Sequence, residues 1–151
     1  KEKDSALIVD YIDIDLPRSA ITKKSMMMLD ILANNDWKRP IYFSGGSFDD
    51  AEFIWMKDYL QLDGMAYKLV PIKTERRSSY EMGRIDSDLM YDIATNWYWG
   101  NSGSPDIYHD PQTRIQGLSY RSNLARLVEQ LLEENKLSYQ DLILFSKKMT
   151  K

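Results

Sequence analysis

Asn34-Asn35-Asp36-Trp37-Lys38-Arg39-Pro40-Ile41-Tyr42-Phe43 separates a helix from an apolar strand-like run. Upstream, Thr22 or Ser25 caps a helix from Lys23 to about Asn34, and Asn34-Asn35 tolerates a left-handed stop. Met27, Leu29, Ile31 and Leu32 cover more than one stripe, which predicts a well-buried helix, and Met26-Met27-Met28 reads as core packing. Downstream, Pro40 opens a strand to Ser44 at a position where its missing N–H is tolerated. Trp37 is expected to pack at the turn.

Outward from this stretch, a β-α-β-α-β order emerges. Tyr11-Ile12-Asp13-Ile14-Asp15-Leu16 alternates strictly, which predicts a half-buried strand ended by Pro17. Gly45-Gly46-Ser47 makes a tight turn, and Ser47 with Asp50 resembles a capping box. Phe48, Ala51, Trp55, Tyr59 and Leu62 then recur at helical spacing to about Gln61, with Gly64 as a stop. Met65 to Ile72 is the third strand. Such alternation favours parallel strands with right-handed crossovers over residues 1–72.

The later half, residues 84–151, reads as mainly helical. After a loop from Lys73 to Gly83, Asp86 to Trp99 is a helix with Leu89, Ile93 and Trp97 on one face. Gly100 to Pro105 breaks the chain, and Asp106 to Asp110 is a brief extended piece. A long helix from about Thr113 to Glu134 carries Leu124, Leu127, Val128, Leu131 and Leu132, and Ser138 caps a last helix to about Lys148. The predicted fold is α/β: one soluble domain, its small three-stranded unit followed by helices that end in a tetratricopeptide-like hairpin. Gln140 and Asp141 depart from the small residue that such a repeat uses to let its helices approach.

Composition narrows the function classes. The net charge of −3 is spread over interspersed acids and bases, without the basic stripe that nucleic acid requires. The chain has no cysteine, which excludes disulfides, thiolate catalysis and cysteine metal sites. No apolar run approaches the ~20 residues that span a bilayer. Lys1-Glu2-Lys3-Asp4-Ser5 opens no signal peptide, and the first residue is not Met, so a piece of a longer protein is expected.

Candidate chemistry is sparse. The single histidine, His109, lies in Tyr108-His109-Asp110, and one histidine cannot build the usual zinc cluster. No metal or other cofactor is expected. Asp13 and Asp15 point away from the apolar face, while Asp86 and Asp88 suit a helix start. Gly45-Gly46-Ser47 joins a strand to a helix start, where backbone N–H groups can meet a phosphate, but no complete phosphate-binding motif is present. Trp97-Tyr98-Trp99 is the one hint of sugar contact: Trp97 is placed inside, and Tyr98 and Trp99 are placed along a groove near the glycine loop.

Several stretches together carry a family resemblance. They are Met28-Leu29-Asp30-Ile31-Leu32-Ala33-Asn34-Asn35, Trp37 to Phe43, Gly64, Tyr67-Lys68-Leu69-Val70-Pro71, the run into Trp99-Gly100-Asn101, Tyr108, Arg121 and Leu124-Ala125-Arg126-Leu127. Over most of its length from about Lys23, the chain resembles a large membrane-protein family typical of Bacteroides and its relatives. That family was long catalogued as a domain of unknown function and is similar to protein O-mannosyltransferases. The resemblance implies a segment outside the bilayer on the periplasmic side, next to a membrane core that this chain lacks. It implies a parent that transfers sugar from a lipid-linked donor to a polypeptide, with its catalytic acid in the membrane part. No catalytic residue is therefore carried over, and Trp37, Lys38, Arg39, Pro40, Tyr67 and Pro71 are read as a structural motif.

The leading expectation is thus a non-catalytic accessory domain of a glycosyltransferase-like protein, partnered by its membrane core and by an acceptor polypeptide or glycan. Its rivals are a free-standing module that binds a peptide or glycan between sheet and hairpin, and a small enzyme on the βαβ unit. Leu142, Phe145 and Met149 recur at helical spacing on the last helix, which predicts a homodimer through that face.

Overall fold

The computed structural model describes residues 4–16, 20–44, 54–74, 82–101, 104 and 106–149. Gly45, Gly46 and Ser47, the Ser47–Asp50 box, and Phe48 and Ala51 lie outside the described residues. By its internal contacts the chain forms two units, Lys1–Leu62 with Ala66–Arg84, and Asp63–Met65 with Ile85–Lys151.

The first unit holds helix α1 (Lys23–Asn35) and strands β1 (Tyr42–Ser44), β2 (Leu60–Asp63, whose last residue belongs to the other unit) and β3 (Ala66–Leu69). Thr22 starts α1 by accepting a hydrogen bond from the Ser25 N–H at 3.2 Å. Asp36 and Trp37, at φ 51° and 56°, end it with two successive left-handed residues. Neither is glycine, so the turn is held by side chains and backbone: Asn35 Nδ2 donates to the Arg39 carbonyl at 2.8 Å, and the Lys38 N–H donates to the Asn35 carbonyl at 2.9 Å. Only one stripe of α1, including Met28 and Leu32, packs on the core, so the expected broad burial fails. Met26, Met27 and Ile31 are more than half exposed.

The sheet order is β1-β3-β2, and β1 pairs with β3 antiparallel in the register Tyr42 to Lys68, Phe43 to Tyr67 and Ser44 to Ala66. The mixed α/β class and a sheet of three strands hold, with β1 and β3 inside the expected second and third strands, but the remaining strand is Leu60–Asp63 rather than Tyr11 to Leu16, and the expected parallel crossovers do not hold. Two period readings went the other way. Tyr11 to Leu16 forms no ladder. Ile12 and Ile14 pack on the core and Tyr11, Asp13 and Asp15 face out, yet the Asp13 N–H donates to the Tyr59 hydroxyl rather than to a strand. The expected helix to Gln61 is a 3₁₀ helix over Ile54–Tyr59 that gives way to β2. Leu60-Gln61-Leu62-Asp63 also alternates, and at this length a period of two competes with one of 3.6. Gly64, at φ +67°, is therefore a hairpin turn and not a helix stop.

Met56, Tyr59, Leu60 and Leu69 form the centre of this unit's core, with Val9, Ile41, Phe43 and Tyr67 packed around them. Along β2 runs residue 84: the Arg84 N–H donates to the Leu60 carbonyl, and the Leu62 N–H donates to the Arg84 carbonyl. Gly83 makes this approach possible. At φ +70°, a Cβ there would stand 2.4 Å from the Leu60 carbonyl oxygen. Arg84 is anchored by Asp4 at 3.1 Å.

The second unit contains helices α2 (Ser87–Thr95), α3 (Pro111–Glu133) and α4 (Tyr139–Met149). Each start is written in the chain. Asp86 accepts from the Leu89 N–H at 3.3 Å, and Asp110 accepts from the Thr113 N–H at 2.8 Å with Pro111 behind it. Ser138 and Asp141 form a reciprocal box, Ser138 Oγ accepting from the Asp141 N–H and Asp141 Oδ2 from the Ser138 N–H. That box accounts for an acid where a repeat motif has a small residue.

Met90, Ala94, Leu124, Leu127 and Phe145 are fully buried, and Ile85 and Leu131 nearly so. The inward face of α2 is Ser87, Met90 and Ala94 rather than Leu89, Ile93 and Trp97. The helix ends at Thr95, so Trp97 lies beyond it. On α4, Phe145 meets Tyr91 edge to face at 5.9 Å, while Leu142 and Ile143 are 44% and 40% exposed. The helical hairpin expected from the sequence is thus present, closed by Asn135 at φ 54°.

Candidate functional site: a cleft of aromatics and arginines

The second unit carries an open cleft of about 670 Å³, a volume suited to a small-molecule ligand. Its first wall follows the end of α2. Trp97 and Trp99 stand 5.6 Å apart at 76°, and Tyr120 from α3 closes a triangle at 5.5 Å and 5.6 Å from them. Edge-to-face rings of this kind stabilise one another beyond the area they bury. Tyr98 stands at the rim, 94% exposed.

The opposite wall is one face of α3. Thr113, Arg114, Gly117, Tyr120 and Arg121 recur at three- and four-residue intervals, with Gln116 beside them. Gly117 leaves a gap in this face, for a Cβ there would meet nothing within 4 Å. His109, partly buried, joins from the preceding segment. Asp110 next to it is fully engaged as the α3 cap. The Thr113 backbone N–H holds its carboxyl below the usual range against the opposing effect of burial, helped by the Thr113 side chain and the Gln112 N–H.

The third element is the segment around Gly64. The Gly64 N–H donates to the Met90 sulfur at 3.0 Å, and Asn123 Nδ2 donates to the Gly64 carbonyl at 3.0 Å. A Cβ on Gly64 would approach Ile93 Cγ2 to 3.0 Å. This clamp sets Met65 into the cleft wall beside Trp97.

A polar cluster braces α2 against the α3–α4 turn. Ser87 Oγ donates to Glu134 at 2.7 Å, and Lys136 Nζ reaches Glu134 at 2.7 Å and Asp88 at 2.6 Å. Burial alone would raise the Glu134 pKa. The hydrogen bonds from Lys136, Ser87 and Gln130 outweigh it and hold the carboxyl down at about 2. Tyr91 donates to Asp141 at 2.6 Å, which raises the phenol's pKa and helps lower that of the acid.

Of the residues singled out by sequence, the cleft gathers Tyr98, Trp99 and His109. Trp97, read as interior, is half-buried and lines the cleft as well. Tyr108 is 80% exposed and does not line it. Gly45, Gly46 and Ser47 lie outside the described residues. Sequence reasoning missed Arg114, Gly117 and Tyr120 as a site. The available signal was a glycine inside a long helix, flanked at helical spacing by arginines and an aromatic.

The structural motif of the first unit behaves differently. Trp37, 55% exposed, is not packed away. With Lys38, Arg39, Pro40 and Pro71 it lines a second groove, of about 780 Å³, in that unit. Lys38 pairs with Asp36 at 3.1 Å in full solvent, where such a pair contributes little. Tyr67 packs on the core. Among the described residues, no cluster of three or more histidines and acids is arranged to hold a metal. No described helix is long and apolar enough to cross a membrane.

The family model of TMEM260-associated domain 2 matches residues 1–89. The chain belongs to that family. No curated protein and no solved structure matches it. The TMEM260-associated match starts at residue 1, ahead of the point near Lys23 where the resemblance began. It ends inside α2, before the aromatic run. It is consistent with the likeness to O-mannosyltransferase relatives, and the cleft beyond it, except for Met65, lies outside the matched residues.

Proposed function

We propose that this TMEM260-associated domain is a non-catalytic accessory domain of a glycosyltransferase-like membrane protein. It works on the periplasmic side in protein O-glycosylation, and it holds the saccharide part of an acceptor or product in the aromatic cleft. The observation that carries this reading is the triangle of Trp97, Trp99 and Tyr120 along a cleft rich in polar side chains. A sugar offers C–H faces that lie on aromatic rings and hydroxyls that need donors and acceptors. Thr113 and Gln116 supply the polar half. The family assignment supports a glycosyltransferase-like parent, and the Asp86 and Asp110 carboxylates are occupied as helix caps rather than poised for acid–base work.

Titration of the chain with oligosaccharides, followed by tryptophan fluorescence and by amide and indole NMR shifts, tests the reading. Shifts should cluster on Trp97, Trp99, Tyr120 and their neighbours, and Trp99→Ala should weaken binding about tenfold or more, the scale of an aromatic contact worth one to two kcal/mol. Absence of any saccharide response in the cleft, or sugar turnover by the isolated chain, overturns it.

A further inference from the structure

We infer that the cleft selects an acidic saccharide, whose carboxylate or phosphate sits against Arg114 and Arg121 while a sugar ring rests on Trp97, Trp99 and Tyr120. This rests on the saccharide reading above and adds the charge of the ligand. Among the described residues, neither Arg114 nor Arg121 has a carboxylate partner or a side-chain hydrogen bond. Arg84 and Lys136, by contrast, are both paired. The two arginines lie seven residues apart on one helix face, about 10 Å along the axis at two turns. Both line the same cleft as the rings.

Between them stands Gly117. Its backbone has no left-handed torsion, and a Cβ there would meet nothing, so neither conformation nor packing requires glycine. Glycine inside a helix costs stability relative to alanine. What it provides is depth between two cations. Guanidinium groups bind carboxylate and phosphate through paired N–H donors, and they stack beside aromatic rings. An anionic group on a sugar meets both demands, whereas a neutral sugar would leave two cations idle at the wall.

The test compares matched probes by calorimetry on the intact chain. One arm is a glucuronate-containing oligosaccharide against its carboxyl-reduced form, and the other is mannose 6-phosphate against mannose. The acidic member of at least one pair should bind tenfold or more tightly, and the affected arm tells carboxylate from phosphate. Raising the salt concentration should erode that preference. Arg114→Gln and Arg121→Gln, both at exposed positions, should each remove most of the preference while neutral binding persists. Gly117→Leu should abolish all binding with the helical circular dichroism unchanged. Equal binding of acidic and neutral probes, insensitive to salt and to the arginine changes, overturns this inference and leaves the saccharide reading standing. No binding of any probe, with the wild-type chain folded, overturns both.

Discussion

The two units break local rules of sequence in opposite ways. The first places Asp36 and Trp37 in left-handed backbone where glycine is preferred, and the second places Gly117 in a helix where glycine is not needed. The first lies within the residues that match the family, and most of the second lies beyond them. Family membership is therefore fixed by the sheet unit, whereas ligand-like geometry is concentrated in the helical unit. The family match and the cleft geometry are thus independent lines of argument, and the variants below test the units separately.

The largest effect is expected in the first unit, at Gly83. Gly83→Ala forces a Cβ into the Leu60 carbonyl at 2.4 Å and an L-residue into φ +70°. Left-handed strain and overpacking each cost about 1 to 3 kcal/mol, so a combined loss of about 3 kcal/mol or more is expected in chemical denaturation. A loss below about 1 kcal/mol would mean that residues 82–84 do not run along β2 and that the sheet unit is closed some other way.

The second unit should show its own signature in acid. The Glu134 carboxyl is held at about 2 against its ordinary 4.5. A depressed acid contributes stability that is fully present above the unfolded value and is lost as pH falls through the folded one. Unfolding free energy should thus decline between about pH 4.5 and pH 2. Discounted for the partial exposure of Lys136, the Glu134 contribution to that decline is about 2 kcal/mol. Glu134→Gln should be less stable than wild type at pH 7 and should flatten this part of the profile. An unchanged acid profile in the variant would show that the Ser87–Glu134–Lys136 cluster does not hold α2 to the hairpin turn.

How legible each unit was follows from its kind of signal. Helix starts were readable where one side chain decides them: Thr22, Asp86 and Ser138 cap as their chemistry requires, whereas the Asp110 cap with Pro111 lies two residues ahead of the Thr113 start expected for α3. Pro40 to Ser44 and Met65 to Ile72 were readable as strands and contain β1 and β3, but the remaining strand and the pairing were not, because pairing depends on partners distant in sequence. Tyr11 to Leu16 has the alternation of a strand but meets Tyr59, and Leu60 to Asp63 was hidden inside a helical count. The cleft was half legible. Tyr98, Trp99 and His109 are adjacent to a glycine-rich break and drew notice, but Arg114, Gly117 and Tyr120 matter only once α3 turns one face to those rings. Trp37 was expected to pack at the turn, and its ring instead stays 55% exposed there.

Trp37 offers the smallest and most discriminating measurement. Its ring is 55% exposed, so Trp37→Ala should cost less than about 1 kcal/mol, far from the ~3–5 kcal/mol of a buried tryptophan. Trp37→Gly should then be more stable than Trp37→Ala by about 1 kcal/mol, because only the first relieves the left-handed backbone at φ 56°. The mirror change in the other unit, Gly117→Ala, should stabilise by about 0.5 to 1 kcal/mol, since it removes a helix glycine without creating a contact. Denaturation of the three variants in one buffer gives the order. If Trp37→Gly and Trp37→Ala are equal, the turn after α1 adjusts freely and carries no strain. If both lose several kcal/mol, the ring packs at the turn as its sequence first suggested. If Gly117→Ala destabilises, the face of α3 between Arg114 and Arg121 is already filled, and no cleft stands open there.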